Sequence, residues 1–215
     1  MPRGRSFRRP PPSRNIGRKL IIVCEGKKTE RGYFEEIRKS LRLPTVRVRV
    51  IHADVTDPLS IVRAAIEYRR QAREDERAWA KEDSAWAVFD GDEHRDANPE
   101  RWNDAIQIAR SKDIRLAVSN PCFELWYLLH YRSHTADVTR QKAFRLLKSH
   151  ISDYEKAKTL WPSPLEPLTN EAIQRARQLA SRAETDELQS FTNPYTSVYE
   201  LVESLLALDK ETRHR

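Results

Sequence analysis

The sequence has no apolar run approaching the roughly 18 to 20 residues that a membrane span requires. Its arginine-bearing N-terminus lacks an apolar h-region, which excludes a secretory signal. Two cysteines, Cys24 and Cys122, are too few for a disulfide framework, and each falls in a predicted strand or helix start. That usage points to a reducing cytoplasm. Residues 1–19 contain no Asp or Glu. Also missing are a Gly-x-Ser-x-Gly elbow, a Walker phosphate loop, a Cys-x-x-Cys zinc pattern and any internal repeat.

What is there is a soluble, globular composition: 39% hydrophobic and 33% charged residues in a chain of 215. That length suffices for one good core with a helical elaboration. The net charge of +7 is unevenly placed. Seven of the 39 Lys and Arg lie in residues 1–19, and the other 32 balance the 32 Asp and Glu. The fold is therefore neutral and the basicity is a tail. Arg3, Arg5, Arg8 and Arg9 lie there between Pro2 and the run Pro10-Pro11-Pro12. Residues 1–18 are accordingly expected to be disordered when unbound. Such an arm either touches nucleic-acid phosphates without sequence preference or simply aids solubility.

Beyond the tail, Lys19–Cys24 reads as a buried strand. A helix capped by Thr29 follows, with Tyr33, Phe34, Ile37 and Leu41 on one face and Pro44 ending it. Strict alternation in Val46–Val50 predicts a strand near a sheet edge. Asp57-Pro58 opens a helix to about Ala80. Ala85–Phe89 is a further buried strand, Arg101–Arg110 a short helix and Ile114–Val118 a fourth strand. Ser119-Asn120-Pro121 is read as a cap and first turn of a helix to about Tyr131. Beyond Tyr131 no strand is discernible, and helices are expected near Thr139–His150, Asp153–Leu160, Thr169–Glu184 and Thr196–Asp209. The pattern predicts an α/β fold over 19–132, with about four mostly parallel strands flanked by helices, and a helical extension over 133–215 packed on it.

Two acidic stretches stand out, Val23-Cys24-Glu25-Gly26-Lys27-Lys28-Thr29-Glu30 and Val88-Phe89-Asp90-Gly91-Asp92-Glu93. Each begins as an apolar strand and breaks into carboxylates at a glycine. In an open α/β sheet the functional crevice lies beyond the carboxyl ends of the strands, where Glu25 and Asp90 fall. Asp90 and Asp92, two apart in an extended segment, would point the same way, roughly 6–7 Å apart. An isolated Glu-Gly is ordinarily a turn, and an isolated Asp-x-Asp a solvated loop. Both at strand ends, one β-α-β-α unit apart, point to oxygen ligands for Mg²⁺ or Mn²⁺ and to phosphoryl transfer, with a nuclease the foremost case.

Glu25 has two candidate roles, metal ligand or general acid/base. Lys27 and Lys28 precede a helix N-terminus suited to a phosphate. Glu124, in the helix after the fourth strand, is either a further site carboxylate or simply a dipole-stabilised one. His130 reads as structural packing, whereas His94, directly after Asp92-Glu93, is either a residue of functional interest or a surface loop residue.

These stretches, together with Ser119–Trp126 (SNPCFELW) and Asn193–Val198 (NPYTSV), resemble the RloB family, over nearly the whole chain beyond the tail. That family is regarded as Toprim-like, related to nuclease modules of phage-defence systems. The resemblance implies that Glu25 does acid/base or metal work, that Asp90 and Asp92 form the metal-binding pair, and that Glu124 belongs to the catalytic set. It also implies Mg²⁺ or Mn²⁺, a DNA or RNA substrate such as tRNA, and an ABC/AAA-type ATPase partner. No separate domain presents a catalytic tyrosine and no zinc ribbon is present, which disfavours topoisomerase and primase roles. The competing classes are a non-catalytic metal- or nucleotide-binding module that regulates such an ATPase, and a pure interaction protein whose helical half and basic arm mediate assembly.

Overall fold

Side chains of successive strand residues point to opposite faces, and here both faces of the sheet are covered. The computed structural model describes residues 18–76, 79–156, 158–183 and 191–213, with Asp75, Glu76, Asp92, Glu93 and Ala183 described by their backbone alone. The expected tail contacts of Arg3, Arg5, Arg8 and Arg9 lie outside the described residues. The elements begin β1 (Leu20–Cys24), α1 (Thr29–Ser40), β2 (Val48–His52), α2 (Pro58–Glu76) and β3 (Ser84–Asp90). They continue with α3 (Asp92–Ala97), α4 (Pro99–Ser111), β4 (Arg115–Asn120), α5 (Glu124–Tyr131) and α6 (Arg140–His150). A 3₁₀ turn at Glu166–Leu168 leads into α7 (Thr169–Ala183), β5 (Tyr195–Thr196) and α8 (Val198–Arg213).

The sheet has the order β2-β1-β3-β4-β5. Strands β1 to β4 are parallel and β5 is antiparallel to β4. This is the expected mixed α/β architecture. Leu20, Ile22, Trp86 and Val88 face one apolar core, which takes in α1, α5, α7 and α8. Ile21, Val23, Ala87 and Phe89 face the other, built with α2 and α4. Apolar residues of the helices after Tyr131, such as Leu147, Ile173 and Leu205, belong to the same core as β1. No helix of the described residues is long and apolar enough to cross a membrane. Both cysteines are buried and free.

Several local expectations are overturned. A strand does exist beyond Tyr131: Thr196 and Tyr195 pair with Ser119 and Asn120. Two residues carry no periodicity, so no pattern announced it. Asp153–Leu160 forms no helix among its described residues; Tyr154 and Leu160 are buried from irregular backbone instead. Asn120 is no helix cap. It ends β4, its amide Nδ2 donates to the Phe191 carbonyl (2.8 Å), and the helix begins only at Glu124. Thr29 is the first helical residue of α1 rather than its cap. The helix ends at Ser40, before Pro44, through a turn with Arg42 in the left-handed region. Val46 lies before β2 and is exposed. Strand β2 is, as expected, the sheet's edge.

Candidate active site

Glu25 and Asp90 converge because their strands are neighbours in register. Cys24 pairs with Val88, and the Glu25 N–H donates to the Val88 carbonyl at 2.9 Å. Both Glu25 oxygens are engaged. Oε2 accepts the Asp90 backbone N–H at 3.1 Å, and Oε1 lies 2.9 Å from His94 Nε2. His94 reaches it because Asp92 begins helix α3 instead of continuing an extended segment. The extended segment expected through Asp92 is therefore replaced by a helical turn, and the Asp92 side chain is not among those described.

Asp90 is the most constrained member. Its Oδ2 accepts from Arg140 Nη1 at 3.1 Å, while its Oδ1 is buried without a hydrogen-bond partner among the described residues. Glu30, in the first turn of α1, is buried nearby. Glu124, in the first turn of α5, accepts from the Tyr154 hydroxyl at 3.2 Å and is also buried. Burial drives the Asp90 carboxyl well above the usual carboxylate range, and the charges of Glu30, Glu25 and Glu124 push the same way against Arg140. Glu30 is lifted to about 7, first by burial and then by Glu25 and Glu124. Four carboxylates thus feel one another, the condition in which a bound cation lowers the energy most.

Lys27, Lys28, Thr29, Lys156 and Arg140 line the cleft over Glu30, Asp90 and Glu124, and its volume is about 310 Å³. Lys27 also lies 3.8 Å from Asp54, in an exposed pair of little energetic weight. His130 sits away from the cleft. Its Nδ1 bonds the Trp126 carbonyl (2.9 Å), its Nε2 is buried without a partner among the described residues, and burial lowers its pKa to about 4.

As they stand, no three His, Cys, Asp or Glu groups among the described residues are grouped to cage an ion. The donors nevertheless fit a hard cation in kind and charge. They are carboxylate oxygens, one of them is orphaned in a buried position, and their mutual repulsion is relieved in part by Arg140. Sequence reasoning assigned no role to Glu30, His94 or Arg140. Glu30 closes the first acidic stretch and His94 directly follows the second, so both had a positional signal. Arg140 had none, lying 50 residues from Asp90 along the chain.

No curated protein and no solved structure matches the chain. The family model of the RloB-like proteins does, over residues 20–205. That span takes in every element from β1 into α8, and the chain belongs to the RloB-like protein family.

Proposed function

We propose that this protein is a metal-dependent nuclease that hydrolyses phosphodiester bonds of DNA or RNA, tRNA among the candidates. The observation that carries the reading is the convergence of Glu25, Glu30, Asp90 and Glu124 beneath a cleft rimmed by Lys27, Lys28 and Lys156. Acid below and base above is what a polyanionic substrate and its counter-ion require. Asp90 and Glu30, with Glu124 on the same cleft and Asp92 close to Asp90 in the sequence, would hold Mg²⁺ or Mn²⁺. Such an ion would supply Lewis-acid stabilisation of the charge that develops on the phosphoryl group.

The remaining work falls to the chain's own groups. Lys27 and Lys28, at the N-terminus of α1, hold the phosphate by charge and by the helix dipole. Glu25 is fixed by the Asp90 amide and His94, and each of its oxygens keeps a second lone pair. It takes the proton of the attacking water as the water oxygen bonds to phosphorus, and the ester oxygen departs with the bonding pair and is protonated by solvent. His94 holds the carboxylate in that orientation. Tyr154 does the same for Glu124. The family resemblance further suggests an ABC/AAA-type ATPase partner and a role in antiviral defence.

The test is incubation of plasmid, single-stranded DNA and total tRNA with Mg²⁺ or Mn²⁺, comparing wild type with Glu25→Ala and Asp90→Ala. Cutting by wild type that both variants lose supports the reading and identifies the substrate. Cutting retained by both variants overturns it.

A further inference from the structure

Arg140 comes from the helical half of the chain, yet it is the cation placed on the buried carboxylate at the end of β3. Its position is built with some care. The Thr139 side chain caps α6 by accepting from the Lys142 N–H (3.3 Å), so Arg140 is the first helical residue. One residue earlier, both backbone polar groups of Val138 are held by the Asn193 side chain. The Val138 N–H donates to Oδ1 (3.1 Å), and Nδ2 donates to the Val138 carbonyl (2.8 Å). Asn193 precedes β5, which is fastened to β4 by the Ser119–Thr196 pairing and by their hydroxyls at 2.9 Å. Ser119 in turn pairs with Asp90. The NPYTSV segment thus fixes Arg140 and Asp90 on one frame.

A guanidinium is a planar fork of donors matched to carboxylate and to phosphate alike. At Asp90 it occupies Oδ2, an oxygen that a cation would also seek, and it lines the cleft beside Lys156. Arginine and cation therefore compete for one carboxylate, while a phosphate in the cleft attracts both.

We propose that Arg140 and Lys156 form the anion-binding wall of the cleft, and that Arg140 exchanges Asp90 for a backbone phosphate of the nucleic acid. The exchange releases Asp90 to the cation only when substrate is present. Cation and substrate then bind with positive coupling, reciprocal by thermodynamic necessity. The inference rests on the proposed metal-dependent nuclease and specifies how its site is filled.

The test uses Ca²⁺, a hard oxygen-seeking cation, with labelled tRNA and labelled single-stranded DNA followed by fluorescence anisotropy. Thermal unfolding in Ca²⁺ alone is measured in parallel for wild type, Arg140→Ala and Arg140→Lys. For wild type, Ca²⁺ is expected to tighten at least one nucleic acid by about tenfold, and that nucleic acid to tighten Ca²⁺ by the same factor. Arg140→Ala should bind Ca²⁺ alone better than wild type, bind nucleic acid more weakly without Ca²⁺, and lose the coupling. Arg140→Lys keeps the charge without the fork, should fall between, and carries the test if the alanine variant fails to fold. Wild-type coupling retained in both variants would overturn the role of Arg140 and leave the cation site standing. No effect of Ca²⁺ on any protein, with or without nucleic acid, would overturn the cation site and the exchange together.

Discussion

Gly26 stands where the Glu30 carboxylate needs room: a Cβ built there would lie 1.7 Å from Glu30 Oε2. Gly26→Ala is expected to push that carboxylate aside and lower kcat by about ten- to a hundredfold, as misplacement by an ångström does elsewhere. Far-UV circular dichroism should be unchanged, and a variant of wild-type rate would contradict the packing. Glu30 itself carries a stability signature. Its folded pKa of about 7 exceeds the ordinary 4.5, so the stability linked to its proton is present below pH 4.5 and lost as pH rises through 7. Metal-free Glu30→Gln should therefore be more stable than wild type at pH 8 by about 1–3 kcal/mol, with the difference closing toward pH 4.5. Urea unfolding in a chelator measures it. His130 has the opposite sign. Burial depresses its pKa from 6.5 to about 4, while the backbone carbonyl of Trp126 and the charge of Arg175 act on it from α5 and α7. Its contribution is whole above pH 6.5 and declines as pH falls toward 4. Wild type should lose about 2 kcal/mol more than His130→Gln between pH 7.5 and pH 5.

At the scale of elements, the segment before β5 is a clamp whose effect can be measured without substrate. Asn193→Ala leaves the backbone N–H and carbonyl of buried Val138 without their partners and should cost about 1–3 kcal/mol in urea unfolding. An unchanged midpoint would mean that the loop into α6 holds itself. The same region marks where sequence reasoning stops. Strands β1, β3 and β4 were legible because parallel strands covered on both faces read as apolar runs, and Glu25 and Asp90 follow directly from the ends of two of them. Strand β5 was not legible, because two residues paired to a distant strand have no period of their own. Helix α3 was hidden because Asp92-Glu93-His94-Arg95 shows no apolar face, and with it went the contact of His94 with Glu25. The irregular segments at 153–156 and 158–160 were misread as helix because Tyr154 and Leu160 are buried without a repeating apolar stripe. Arg140 meets Asp90 across the join between the sheet and the C-terminal helices, a contact that no local pattern encodes.

For the whole molecule, the described cleft sets four cations, Lys27, Lys28, Arg140 and Lys156, around a carboxylate floor, while the strongly basic residues 1–19 lie at one end of a chain otherwise balanced in charge. The logarithm of nucleic-acid affinity should fall linearly with the logarithm of salt concentration. Lys28→Ala should reduce that slope by about 0.7–0.9, the release expected for one phosphate contact. A slope unchanged by the substitution would place the backbone elsewhere. The account as a whole turns on Asp90, the buried carboxylate with one oxygen orphaned and the other paired to Arg140. Its most direct test is the rate of nucleic-acid cleavage measured against Mn²⁺ concentration for wild type and Asp90→Asn. The account predicts a wild-type rate that rises from zero and saturates with the cation, and an Asp90→Asn rate that stays near zero or rises only at far higher concentration. Coincident curves, or wild-type cleavage undiminished by a chelator, would contradict it.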